Sequence, residues 1–225
     1  MVNNKVIAVI PARWASTRLP GKPLADINGK PMIQWVYEAV QKSNADKVIV
    51  ATDHKDILNE VKKFGGEGIM TSTKHQTGTE RVLEAYQHYK EDYKYVINVQ
   101  GDEPIINEND INLLISVLKK NPLDIATLVG PLTKPQASDR NTVKALLDNN
   151  KIIMFTRSPV FTTQSLYVKR HIGIYGFSKV MTERIDKNIM IETSNEIVEN
   201  LEQIRWGDNG ISFNYARAAG LYKGI

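Results

Sequence analysis

Three cations fall within ten residues near the start of the chain: Arg13, Arg18 and Lys22, in the stretch Pro11-Ala-Arg-Trp-Ala-Ser-Thr-Arg-Leu-Pro-Gly-Lys22. Ser16 and Thr17 add hydroxyls, and Gly21 lets backbone approach a ligand closely. Fixed cations and backbone N–H groups at a strand end can cradle a triphosphate. The stretch is not a Walker loop, because no glycine precedes Gly21 at the right spacing and Pro23 stands where Ser or Thr belongs. A solvated basic turn has the same composition. The opposite charge comes from Asn98-Val-Gln-Gly-Asp-Glu-Pro104. Asp102, just past an apolar run, can hold a hard divalent cation that bridges phosphate oxygens. Gln100 and Gly101 can read a base or ribose through amide and backbone groups. A plain Asp/Pro turn is the alternative, but a cationic stretch and an acidic turn at one sheet edge make a metal–nucleotide site the more economical account.

Thr77-Gly78-Thr-Glu-Arg81 opens a helix, with Thr77 as cap and Glu80 completing a capping box. That leaves Arg81, with His75 and Gln76 before it, free to face a nucleobase. Thr52-Asp53 reads as a helix cap rather than a ligand. Further on, Arg170-His-Ile-Gly-Ile-Tyr-Gly176 alternates like a strand, so His171, Gly173 and Tyr175 share one face. A lone histidine is more often structural, but Tyr175 and Arg157 are suitable company for a polyhydroxy acid. The stretch Asn195–Arg205 reads as one helix, with Ile197, Val198, Leu201 and Ile204 as its core stripe. Glu196, Glu199 and Gln203 then lie on the opposite face, either solvated or bonding sugar hydroxyls.

The elements that must position these groups alternate. Val6–Ile10, Lys47–Thr52, Tyr95–Val99 and Asp124–Val129 read as strands. Pro31–Ser43, His54–Phe64, Thr79–Tyr89 and Glu108–Lys119 carry helical periodicity. This order predicts an α/β layered fold with a largely parallel sheet, whose strand C-terminal ends share one ligand-binding edge. After about Pro131 the pattern changes: Val143–Asp148 and Lys151–Phe155 flank Asn149–Asn150 as a hairpin, and Val168–Phe177 reads as another strand. We expect one domain over 1–225, with a nucleotide-binding part over about 1–130 and a second part over 131–225.

Composition narrows the class. The 225 residues are 42% hydrophobic and 24% charged, which excludes collagen-like, mucin-like and mostly disordered chains. Without cysteine there is no disulfide, thiolate metal site or cysteine nucleophile. The net charge of +4 suits an anionic small ligand, and the interspersed charges, without a Lys/Arg block, speak against nucleic acid. The first apolar run is too short for a signal-peptide core, and no stretch approaches a membrane span.

The string PARWASTRLPGKPLADINGKPMI resembles the 3-deoxy-manno-octulosonate (Kdo) cytidylyltransferase family, as do VATDH, HQTGTER, NVQGDEP, NTVKALLD, FTRSP, RHIGIYGF and ENLEQIR, in order over nearly the whole chain. The resemblance implies a Rossmann-like nucleotidyltransferase fold with a mostly parallel central sheet and a smaller C-terminal lobe for sugar binding and dimerisation. It implies a Mg²⁺-dependent reaction of CTP with Kdo, giving CMP-Kdo and pyrophosphate for lipopolysaccharide assembly in a Gram-negative cytoplasm, by a homodimer. Carried over by motif, Arg13, Lys22 and Asp102 are catalytic, with Asp102 on the metal. Pro11, Ala12, Ser16, Thr17, Arg18, Thr77, Gly78, Arg81, Gln100 and Gly101 join Arg13 and Lys22 around the nucleotide. Gln100, Arg157, His171, Tyr175, Glu199 and Gln203 line the sugar-acid pocket.

Two departures from the family pattern stand out. Members typically continue into a D-T-P-E-D-L-like segment whose first aspartate is a second metal ligand, whereas this sequence reads Leu221-Tyr-Lys-Gly-Ile225 about where that segment begins. The stretch between Pro159 and Arg170 is also shorter than usual. The alternatives are a cytidylyltransferase for the related 8-amino sugar acid, a choice that lies in pocket shape rather than motif, or a relative made inactive by loss of the C-terminal metal-binding segment. A nucleotide-binding oxidoreductase lacks its G-x-G-x-x-G turn after the first strand; Gly65-Gly66-Glu67-Gly68 does not supply it.

Overall fold

The computed structural model describes residues 4–15, 19–160, 167–188 and 192–219. They form a mixed α/β structure that divides into two compact units, one up to Asn112 and one from Leu113.

The first unit is built on β1 (Val6–Ala12), whose seven residues are all buried. A strand with no solvated face needs partners on both sides for its backbone. Here β4 (Lys47–Thr52) and β6 (Tyr95–Asn98) supply them, both parallel to β1, and β5 (Gly68–Met70) extends the sheet beyond β4. A small hairpin, β2 (Asp26–Ile27) and β3 (Lys30–Pro31), turns through Asn28 and Gly29, both at positive φ. The connections between strands run through α1 (Met32–Gln41), α2 (Lys55–Lys63) and α3 (Gly78–Gln87). The apolar stripe of α1 buries Met32, Ile33, Val36, Tyr37 and Val40, the helical spacing read from the sequence. The parallel arrangement carries the residues after β1, β4 and β6 to one sheet edge.

Helix α4 (Glu108–Lys120) crosses the division between the units. In the second unit β7 (Ile125–Gly130) is followed by the short α5 (Lys134–Ser138) and the hairpin β8 (Lys144–Asp148) and β9 (Lys151–Thr156). The long β10 (Val168–Ser178) leads into α6 (Lys179–Asn188), α7 (Ser194–Glu199) and α8 (Glu202–Asp208), and β11 (Phe213–Arg217) comes last. Among its described residues β7 and β11 pair in parallel, whereas β10 with β7, β10 with β8, β8 with β9 and β9 with β11 are antiparallel. The five strands therefore pair in a ring. The strand pairings are thus mixed, not mostly parallel. The expectation extrapolated from the strand–helix alternation of the first unit, whereas hairpin connections such as Asn149–Asn150 make antiparallel neighbours. Between these strands and α8, Phe155 meets Phe213 edge-on at 5.0 Å, and Tyr175 meets Trp206 edge-on at 5.2 Å. No helix among the described residues is long and apolar enough to cross a membrane.

The expected single helix over Asn195–Arg205 is broken, and although Leu201 is buried as expected, the first turn is reversed. Asn200 adopts the left-handed conformation (φ 51°, ψ 53°) between α7 and α8. Glu196 and Gln203 are buried, while Ile197 and Val198 are 64% and 78% exposed. An ion pair decides the orientation. Arg205 Nε and Nη2 donate to Glu196 at 2.7 and 2.6 Å, and Glu196 also completes a capping box with Thr193. In one continuous helix these residues, nine apart, would be separated by roughly 13 Å along the axis. The break at Asn200 lets them meet.

Glu196→Ala is expected to remove the two short hydrogen bonds that neutralise the buried Arg205 guanidinium, with the Glu192 carboxylate 4.0 Å away. It should cost stability at the lower end of roughly 3–5 kcal/mol, read from chemical denaturation; a loss below about 1 kcal/mol would show that the pair does not set the helix orientation. Burial pushes the His171 imidazole down from 6.5 to about 3, with Arg170 adding to the effect. The unfolded chain therefore protonates at His171 before the folded chain does, and this contribution to stability is full above pH 6.5 and declines as the pH falls toward 3. His171→Asn should show a shallower loss of stability between pH 7 and 4.5 than the parent; parallel curves would contradict the buried neutral ring.

Candidate active site

At the edge where β1, β4 and β6 end, the first unit encloses a cavity of about 430 Å³. Its walls carry Pro11, Ala12 and Arg13 from the end of β1, Lys22, the segment His75–Gly78 with Arg81, and Gln100, Gly101 and Asp102 after β6. Ten residues read from the sequence as nucleotide-binding or catalytic thus surround one space. Ser16, Thr17 and Arg18 lie outside the described residues.

Two glycines make the geometry possible. A Cβ on Gly101 would sit 2.7 Å from the Pro11 carbonyl oxygen, so only glycine lets the Gln100–Asp102 turn lie against β1. Gly21 adopts φ +68° and immediately precedes a 3-10 turn over Lys22–Leu24. That turn directs the Lys22 ammonium onto Asp102, with Nζ donating to Oδ2 at 3.0 Å. The Lys22 side chain is 19% exposed and that of Asp102 50% exposed, so the pair sits at the cavity rim in contact with water.

Helix α3 delivers the third wall. Thr77 caps it, Oγ1 accepting from Glu80 N at 3.2 Å, while Glu80 reaches back to Gln76 N rather than to Thr77 N. The start of the helix is tied to β6 through Asn98, whose Nδ2 donates to Thr79 Oγ1 and whose Oδ1 accepts from Gln100 Nε2. His75 contacts the Glu84 carboxylate through Nε2. Burial works against ionisation of Glu84, but the Ser72 N–H and His75 outweigh it and hold the carboxyl below its usual range. Arg81 borders the cavity, yet its guanidinium serves the protein's interior: Nη2 donates to Asp53 Oδ2 at 2.9 Å, and Nη1 to Thr71 Oγ1 at 2.6 Å and the Ser72 carbonyl at 3.1 Å.

Sequence reasoning missed Asp53 by treating it as a helix cap. The cap of α2 is His54, whose Nδ1 accepts from Asp56 N, and Asp53 instead accepts from Trp14 N at 2.9 Å. The available signal was topological: Asp53 follows β4, which ends at the same edge as β1 and β6.

The residues read as sugar-acid ligands in the second unit fall into two settings. Arg157 and Glu199 interlock: Arg157 N donates to Glu199 Oε2 at 2.7 Å and Nε to the Glu199 carbonyl at 3.1 Å, while Thr156 Oγ1 donates to Oε1. Glu199 and Gln203 line a groove of about 550 Å³ together with Ile153, Met154 and Val198. His171 and Tyr175 lie buried in the aromatic cluster, where His171 packs on Phe155 and Tyr175 and its Nε2 is 3.0 Å from Thr127 Oγ1. Burial raises the Tyr175 phenol well above its ordinary value, so it stays a neutral hydroxyl.

A family model described as Cytidylyltransferase matches residues 7–213 of the chain. A 3-deoxy-manno-octulosonate cytidylyltransferase of Parabacteroides distasonis is 42% identical over 221 residues, covering 92% of this chain and 87% of the relative. One from Fusobacterium nucleatum is 44% identical over 212 residues, covering 92% and 85%. Among solved structures, CMP:2-keto-3-deoxy-manno-octonic acid synthetase complexed with CTP superposes with a TM-score of 0.91 at 35% identity, covering 99% of this chain and 93% of that one. With the cavity, the glycine-dependent turns and the Lys22–Asp102 pair in place, these matches have one reading: the chain is a member of the cytidylyltransferase family.

Proposed function

We propose that the chain transfers the cytidylyl group of CTP to 3-deoxy-manno-octulosonate, releasing pyrophosphate and supplying an activated sugar acid for lipopolysaccharide assembly in the cytoplasm. The observation that carries this is the convergence of Arg13, Lys22 and Asp102 on one cavity at the sheet edge, in a chain so similar to named relatives of that activity. Arg13 and Lys22 neutralise triphosphate charge, and the amide of Gln100 and the backbone of Pro11, Ala12 and Gly78 offer hydrogen-bonding groups to a nucleoside. The sugar's anomeric hydroxyl attacks the α-phosphorus, the new P–O bond forms as the bond to pyrophosphate breaks, and the hydroxyl proton passes to solvent. No covalent nucleophile is required, because positioning and fixed positive charge lower the barrier to phosphoryl chemistry.

A divalent cation suits the residues present. Among the described residues no group of three carboxylates or histidines could cage a metal, but Mg²⁺ keeps several waters and is commonly held by one or two carboxylates and the phosphates of its nucleotide. Asp102, half exposed beside the cavity, is such a carboxylate. When bound, the ion would offset charge developing on the phosphoryl oxygens. We assign Arg157, Glu199 and Gln203 to the sugar acid, with His171 and Tyr175 as the buried support behind them. We also propose a homodimer formed through the exposed apolar face that Ile153, Met154 and Val198 make on the second unit.

Pyrophosphate release from CTP, Mg²⁺ and Kdo is the direct test, and absence of release from folded protein would overturn the proposal. Lys22→Ala should lower turnover by about 10²–10³-fold; near-normal turnover would remove Lys22 from the mechanism. Asp102→Asn should lose activity chiefly by requiring more Mg²⁺, and an unchanged Mg²⁺ dependence would refute its role at the metal. Ile153→Asp should convert a dimer to a monomer in light scattering, and a persisting dimer would exclude that face.

A further inference from the structure

The Asp53 carboxylate holds two elements of the active-site wall. Its Oδ1 accepts from the Trp14 backbone N–H, and its Oδ2 accepts from Arg81 Nη2, each at 2.9 Å. The pair is enclosed, with 11% of the Asp53 side chain and 3% of the Arg81 side chain exposed. A charge pair this buried holds its geometry firmly, because separating the partners strands a charge away from water. The Trp14 indole continues the contact. It stacks on the His54 ring at 3.9 Å between centroids and 18° between planes. Its outer edge lies against Gly21, where a Cβ would come within 3.2 Å of the ring. The Trp14 carbonyl also accepts from Gly21 N at 3.0 Å.

The two residues joined in this way are the chain neighbours of the two cations on the cavity wall: Arg13 precedes Trp14, and Lys22 follows Gly21. We propose that Asp53 and Trp14 are positioning residues for the reaction, forming a buckle that fixes the Arg13 and Lys22 backbones at the spacing a triphosphate requires. The inference rests on the function proposed above and deepens it. Arg81 belongs to the buckle as the counter-charge of Asp53, which explains why its guanidinium is turned inward. His54 serves twice, capping α2 and providing the flat surface on which the indole rests. None of these four side chains needs to touch the reacting atoms for the buckle to work. An ångström of drift in groups that orient a substrate can cost about 100-fold in rate.

Steady-state kinetics of Trp14→Ala, Trp14→Phe, Gly21→Ala and Asp53→Asn test the proposal, with active parent enzyme as the prior condition. Failure of the parent to release pyrophosphate would overturn the functional reading itself, whereas the variants test the buckle alone. Trp14→Ala should lower kcat/KM for CTP by about 10- to 100-fold and leave KM for the sugar acid within about twofold, and Trp14→Phe, which keeps a flat ring for His54, should recover most of the loss. Asp53→Asn keeps an oxygen for the Trp14 N–H but not the charge facing Arg81, and should show the same CTP-selective defect. Gly21→Ala in the Trp14→Ala background should cost less than in the parent, because the ring that its methyl group would meet is gone. The indole supplies a readout independent of turnover: CTP should change the emission of the parent, and the change should be much smaller in Trp14→Phe. If Trp14→Ala does not fold, Asp53→Asn and the fluorescence comparison decide. Variants that melt earlier yet keep the parent's kcat/KM for CTP, or that weaken both substrates equally, would overturn the proposal.

Discussion

The burial of β1 on every side is the constraint from which the first unit follows. Seven residues without a solvated face cannot leave their N–H and carbonyl groups unpaired, so two further strands must flank them. Because those strands are reached through helices, they run in the same direction, and their ends arrive together. The chemistry is therefore concentrated where regular hydrogen bonding stops. Arg13, Asp53 and Gln100 come from distant parts of the sequence, and each stands within two residues of a strand end at that edge.

The second unit is organised by a different balance. Its strands and α8 bury a cluster of aromatic side chains, and a neutral histidine sits among them because protonating it would place a charge in the core. Nearby, a carboxylate and a guanidinium that would ordinarily seek water are buried against each other, and two aliphatic side chains are left in solvent as a result. Local hydrophobicity and ion pairing oppose each other in α7, and ion pairing with its capping box prevails. Lys144 shows the same economy: fully buried, its ammonium donates to the carbonyls of Asp139, Thr142 and Arg157. Burial pulls its pKa below the ordinary lysine value.

Much of the first unit was legible in the sequence because its elements depend on local pattern. The span Lys47–Thr52 reads as a strand and is one, and the stripe of α1 buries the residues its periodicity selects. The candidate nucleotide site was legible for the same reason: its residues follow strand ends, and parallel topology then brings them together. What could not be read depends on contacts distant in sequence. Nothing near Glu196 shows that Arg205 will fold back to it past a left-handed Asn200. Nothing local to Asp53 shows that its partners are Trp14 and Arg81, 39 and 28 residues away. The antiparallel pairings of the second unit were hidden similarly, since only the Asn149–Asn150 turn announces one of them.

The approach of Gly101 to the main chain of β1 has a consequence for inheritance. Any side chain at that position, even a methyl group, would have to displace the Pro11 carbonyl oxygen near the end of a strand that is buried along its whole length. A substitution at this codon therefore carries a structural cost whatever the side chain, and changes at the neighbouring positions are tolerated in so far as they leave that close crossing intact.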